Sequence, residues 1–164
     1  MRWFGVMLAM VVCGGPLAAP LPPVATAQEA TPPAPTTLHL VEHAVHLTTV
    51  DHGEPGPSVG DVQVWGPNPL FDERDSADTG ATTQGTCTAL NAAFDCIVTE
   101  TIVFANGSTL QIQGVEFAAA PSLRTIVGGS GDYLGATGTI VVEPTDDQSK
   151  WAKTIELFLA GNES

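Results

Sequence analysis

Between Leu123 and Glu143 two β-branched runs, Thr125–Val127 and Thr137–Val142, enclose Gly128, Gly129, Gly131, Gly135 and Gly138. Glycine at this density supplies turns with positive φ and close backbone approach, which suits a tightly bent connection between two strands. A phosphate-cradling loop would need Gly-Lys-Ser/Thr and a helix after it. The chain has no such tripeptide here, and the next segment reads as strand. The fold must accommodate a sharply bent β-connection late in the chain.

The rest of the domain has the same texture. Strand-like segments are Leu38–Val50, Val59–Trp65, Ala81–Ala89, Phe94–Phe104, Thr109–Phe117, Leu123–Val127, Thr137–Val142 and Lys153–Leu159. Each is rich in Val, Ile, Thr or aromatics, and Gly, Pro, Asn or Asp clusters such as Asn106-Gly107 and Pro144–Asp147 separate them. Eight short strands with no helical period between them predict an all-β fold, an eight-stranded antiparallel β-barrel, with a β-sandwich as the alternative. A barrel of that size is filled by its own side chains or holds one small ligand.

Met1 to Ala27 reads as an export signal. Arg2 precedes the apolar run Trp3–Val12, which is too short to span a bilayer, and Ala25-Thr-Ala27 forms an A-x-A cleavage site. Residues 28–37, with Pro32, Pro33 and Pro35, read as an extended spacer with nothing to bury. That leaves one domain, residues 38–160, long enough for a single core. The expected location is extracellular, with no membrane insertion after processing.

Composition narrows the partners. Loss of Arg2 with the signal leaves four basic residues against 18 acidic ones. A chain this acidic repels nucleic acid phosphates and anionic membrane surfaces. Cys13 leaves with the signal, so the mature chain keeps Cys87 and Cys96, on strands joined by Thr88–Asp95. Two cysteines in an exported chain predict one disulfide, and neither has a His or Cys near in sequence to complete a zinc site.

On a strand, His39 and His43 lie about 13 Å apart and His46 points to the opposite face, so one metal does not bridge them. The run Asp72-Glu-Arg-Asp-Ser-Ala-Asp78 lacks the alternating ligands and closing Glu of a calcium loop and reads as solvated. No nucleophile elbow or zinc-protease motif occurs, and no cofactor is implied. Glu42 shares a strand face with Leu38, Leu40 and Ala44. If that face is the barrel interior, desolvation should raise its pKa and mark a functional carboxylate; if the face is exposed, Glu42 is simply solvated.

Four segments in order carry a resemblance. They are Val59-Gly-Asp-Val-Gln-Val-Trp-Gly-Pro-Asn-Pro-Leu-Phe-Asp72, the pair Gln84-Gly-Thr-Cys87 and Asp95-Cys96, Ser108-Thr-Leu-Gln-Ile-Gln-Gly114, and Val127-Gly-Gly-Ser-Gly-Asp-Tyr-Leu-Gly-Ala-Thr-Gly138. Together, from about Leu38 to Leu159, they resemble the allene oxide cyclase and dirigent barrel superfamily. The resemblance implies a small antiparallel barrel with an apolar interior, which in plant members cyclises an unstable lipid epoxide or steers the coupling of phenolic radicals. Leu40-Val-Glu42 looks like the segment whose glutamate assists epoxide opening. Asn68 matches an asparagine that helps hold a water or oxygen in the cavity, while its place between Pro67 and Pro69 favours a turn residue.

The chain also departs from the pattern. Ala44 replaces a neighbouring asparagine, and Val115-Glu116 stands where plant cyclases carry a cavity tyrosine. A bridged Cys87 loses the role of a cavity thiol. The expectation is therefore a secreted barrel for a small apolar molecule, either an isomerase that steers a cyclisation with Glu42 and Asn68, or a non-catalytic extracellular binding or envelope protein. A homo-oligomer is left open.

Overall fold

The computed structural model describes residues 34–145 and 147–159. The proposed export signal, Cys13 and the spacer up to residue 33 lie outside the described residues. The strands are β1 Thr36–His43, β2 Leu47–Val50, β3 Val62–Asp72, β4 Asp78–Ala89, β5 Cys96–Val103, β6 Thr109–Glu116, β7 Ser122–Ser130, β8 Thr137–Pro144 and β9 Lys150–Phe158. Among the described residues the only helical segment is the single turn Gly131–Tyr133, inside the glycine-rich connection.

All pairings are antiparallel, and from β3 to β9 each strand pairs with its sequence neighbour. β1 closes the ring: its whole length pairs with β9, while Leu40–Glu42 pairs with Asp72–Leu70 of β3. The result is a closed eight-stranded barrel with β2 as an extra strand on β3. The single strand expected over Leu38–Val50 is broken at Ala44–His46, where β1 leaves β3 and β2 takes its place. The cause lies in β3. Pro67 has no N–H for the ladder, and the register against β4 shifts between Trp65 and Asn68. β3 continues as strand through Asp72 instead of turning at Asn68. β1 begins at Thr36, so the last two residues of the expected spacer pair with Leu157 and Glu156.

Side-chain alternation divides the interior into layers. One half is aliphatic: Leu70, Ile102, Leu110, Ile112, Ile126, Ile140, Val142, Ile155 and Leu157 form a continuous core. Burying each such side chain contributes about 1.5–3 kcal/mol. At the other end Cys87, Cys96 and Val98 pack with Trp65 and Phe94. Cys87 and Cys96 form the expected disulfide across the β4–β5 hairpin, with Cα atoms 5.5 Å apart.

Candidate functional site

Between those two apolar layers the inward positions are charged. β5 runs Val98, Glu100, Ile102 inward; β7 runs Ser122, Arg124, Ile126; β9 contributes Lys153 ahead of Ile155, and β1 ends its inward row at Glu42. Glu42, Glu100, Arg124 and Lys153 are all at most 5% exposed. Such groups persist inside a protein only when paired. Lys153 Nζ lies 2.9 Å from Glu42 Oε2 and 2.8 Å from Glu100 Oε1, and Thr83 donates its hydroxyl to Glu100 Oε1 at 2.6 Å. Arg124 Nη1 lies 2.8 Å from Glu100 Oε2, and Nη2 lies 3.3 Å from Glu116 Oε2.

Glycine makes room for this layer. A Cβ on Gly114 of β6 would sit 2.8 Å from Arg124 Cγ, and one on Gly85 of β4 would sit 2.7 Å from the Trp65 ring. Only a bare backbone lets the arginine cross β6 and the indole lean into the mouth.

The carboxylates fall into different states. Burial raises the pKa of Glu100, but Lys153 and Arg124 outweigh it and hold the group down at about 2. Burial also dominates at Glu116, and there it wins over Arg124 and Lys153, helped by the negative charges of Glu100 and Glu42, so its pKa is raised. Burial lowers the pKa of Lys153, but Glu100 and Glu42 reverse this and the net shift is upward. Three carboxylates thus face two cations, and a proton on Glu116 makes the cluster neutral. Of Glu100 and Glu116, Glu116 is the more easily protonated.

Above the cluster lies a cavity of about 110 Å³. Glu42, Asn68, Glu116, Arg124 and Lys153 line its polar side, and Leu47, Trp65, Phe94 and Trp151 line its apolar side. The loops at this end are tied together, with Gln148 donating its amide to the Ala118 carbonyl at 2.9 Å. Two mouth residues, Phe94 (φ 68°) and Gln148 (φ 55°), hold left-handed backbone that a bulky side chain rarely adopts. A larger depression of about 390 Å³ at the opposite end is lined by Leu38, Leu40, Thr79, Ala81, Phe104, Ala105, Asn106 and Tyr133. Its lining has no carboxylate or basic group.

The family model for dirigent-like proteins matches residues 28–159. This chain belongs to the dirigent-like family. Among solved structures, the dirigent-like barrel superposes on pyocyanin demethylase with a TM-score of 0.64 at 21% identity, covering 74% of this chain and 99% of that one. A pterocarpan synthase dirigent protein aligns with a TM-score of 0.64 at 22% identity, over 84% of this chain and 91% of that one. A nonspecific haem-binding cyclase, which catalyses a cycloaddition during neoabyssomicin biosynthesis, aligns with a TM-score of 0.60 at 20% identity, over 78% and 68%. No curated protein sequence matches the chain significantly. At these identities the likeness to solved structures carries the fold alone.

The residues singled out from sequence are partly brought together in this dirigent-like barrel. Glu42 faces the interior, and Asn68 sits beside it in β3, not in a turn. Asn68 Nδ2 donates to Glu42 Oε1 at 2.7 Å, while its Oδ1 accepts the His46 N–H at 2.8 Å. Glu42 is therefore not the solitary desolvated carboxylate of the sequence reading, because each of its oxygens already has a donor. Cys87 lines the cavity as half of the disulfide. His39 and His43 take separate partners, Thr154 and Asp75, and His43 also stacks on Phe71. Among the described residues no cluster of three or more His, Cys, Asp or Glu is placed to hold a metal.

The interior differs from the expected apolar lining. Sequence reasoning did not select Glu100, Arg124 or Lys153, and noted Glu116 only as a departure. A signal was available: of the four basic residues beyond the proposed signal, two fall at inward parity within strands, an expensive placement unless they are paired.

Proposed function

We propose that this dirigent-like barrel takes a small, largely apolar molecule into the mouth above the charged layer and steers its cyclisation or isomerisation. The observation that carries the reading is the pairing of an apolar rim, Trp65, Phe94 and Trp151, with a buried floor of fixed charge. The rim confines a reactive molecule in one conformation, which supplies the entropic part of a cyclisation. Preorganised charges at the floor stabilise charge as it develops, without the reorganisation that water requires.

Roles follow from environment. Glu116, with its raised pKa and its place at the cavity, is the group that delivers or takes a proton. Glu42 is the electrostatic partner for developing positive charge, and Asn68 is the positioning residue that fixes its orientation. The A-x-A site and the disulfide support an extracellular location. The structural relatives carry demethylase, synthase and cyclase names on one fold.

The test is native mass spectrometry of the secreted protein, followed by turnover of whichever small molecule co-purifies, or of epoxide and polyene candidates. A bound molecule whose conversion falls at least tenfold in Glu116→Gln and Glu42→Gln, with binding kept, supports the steering reading. Binding without any conversion by the unaltered protein favours the non-catalytic binding protein instead.

A further inference from the structure

Among the described residues Arg124 is the largest fully buried side chain. Its Nη1 and Glu100 Oε2, 2.8 Å apart, meet as charges without an aligned hydrogen bond, and Nη2 meets Glu116 in the same way, while Nε has neither an aligned acceptor nor an ion-pair partner. A guanidinium presents five N–H donors in a fixed plane, and buried donors normally find acceptors. Arg124 also lines the 110 Å³ cavity together with Glu116, whose pKa is raised by burial and which is an O–H donor when it carries its proton. Three aromatic rings, Trp65, Phe94 and Trp151, line the same cavity.

Resting on the proposed small-molecule site, we infer that the mouth selects a flat, unsaturated, neutral ligand carrying a carbonyl oxygen, seated against Arg124 and Glu116. The charge balance decides between a neutral and an anionic acceptor. Glu42, Glu100 and Glu116 already face only Lys153 and Arg124. A fourth carboxylate would enter a buried cluster with no cation left to meet it, in a chain of net charge −13. A ketone oxygen accepts from both donors and adds no charge. The aromatic rim favours the flat ring system, and the two donors draw electron density toward the oxygen. A carbonyl held in this way makes the adjoining unsaturated carbons more electrophilic, which is the activation a ring closure needs.

The experiment uses three probes of one skeleton, 1-indanone, indane and indane-1-carboxylate, titrated into the full-length protein at neutral pH. Quenching of the tryptophans reads affinity, and the infrared carbonyl stretch of bound indanone reads hydrogen bonding. The expected result is indanone at least tenfold tighter than indane, the carboxylate weakest, and the bound carbonyl stretch shifted to lower frequency. Glu116→Gln, which retains a donor and the side-chain shape, should keep the preference for indanone. Glu116→Leu, which loses the donor, should reduce it several-fold while indane affinity is kept. Equal affinity for indanone and indane with an unshifted stretch would overturn the carbonyl inference and leave the apolar site standing. Tightest binding of the carboxylate would overturn it in favour of an anion site. Failure of every probe to bind would remove the small-molecule reading itself, and this inference with it.

Discussion

Asn68 donates its side-chain amide to Glu42 at 2.7 Å and accepts the backbone N–H of His46 at 2.8 Å, so one residue of β3 holds both the last inward carboxylate of β1 and the break that follows the strand. The two contacts are made on opposite atoms of a single buried amide. Orientation of Glu42 and the path of the chain into β2 are therefore one structural fact.

Asn68→Ala should cost about 1–3 kcal/mol, since it leaves a buried carboxylate oxygen and a backbone N–H without partners. Chemical denaturation measures the loss. Asn68→Asp should be worse, because a second carboxylate then faces Glu42. If the two variants were equally stable, Asn68 would not act through its donated hydrogen bond.

Glu100→Gln should destabilise the barrel by about 3–5 kcal/mol, because it leaves Arg124 and Lys153 buried with half their counter-charge. Asp75, which pairs with His43 and Lys150 at the surface, offers the contrast. Asp75→Asn should cost about 1 kcal/mol or less. Urea unfolding of both variants separates them, and similar losses would contradict the assignment of Glu100 as the anchor of the interior.

Stability should respond to pH in opposite senses at two carboxylates. Glu100 titrates at about 2 in the folded state against an ordinary 4.5, so its contribution is present above pH 4.5 and is lost as pH falls toward about 2. The folded-state pKa of Glu116 is raised, so its contribution is present below its ordinary value of 4.5 and is lost as pH rises through the raised value. Glu116→Gln should flatten the decline between 4.5 and that raised value and leave the acid limb unchanged. Thermal melts across a pH series check both limbs.

The disulfide closes a loop with its cysteines nine positions apart, which on the chain-entropy estimate contributes somewhat under about 3 kcal/mol. Alkylation of the denatured, non-reduced protein should label neither Cys87 nor Cys96. Replacing both with Ala should lower the Tm by several degrees. Labelling of both cysteines in the untreated protein would remove the staple and make Cys87 a free thiol at the cavity.

The barrel was legible because its signals are local. β-Branched runs, glycine turns and the cysteine pair each announce themselves within a few residues; alternation puts Glu42 on one face with Leu38 and Leu40, and only ring closure makes that face the interior. The break at Ala44–His46 was not legible from that segment, because its cause lies some 20 residues on, in the Pro67 bulge of β3. The charged layer escaped for a related reason. Glu100, Arg124 and Lys153 come from three strands, and each alone resembles a polar residue on an outer wall; only ring closure makes them partners. Glu42 was found by pattern, but its partners Lys153 and Asn68 come from the two strands that flank β1, so its paired state was invisible in sequence.

A two-dimensional NMR titration with indanone shows whether the mouth formed by Trp65, Phe94, Glu116 and Trp151 is the binding site. Binding there produces saturable shifts at the Trp65 and Trp151 indole N–H signals and at the backbone of Phe94, Glu116 and Arg124. Leu40, Phe104 and Tyr133, at the far end of the barrel, should stay unmoved. Shifts confined to Leu40, Phe104 and Tyr133, or no saturable shifts at all, would contradict binding at that mouth.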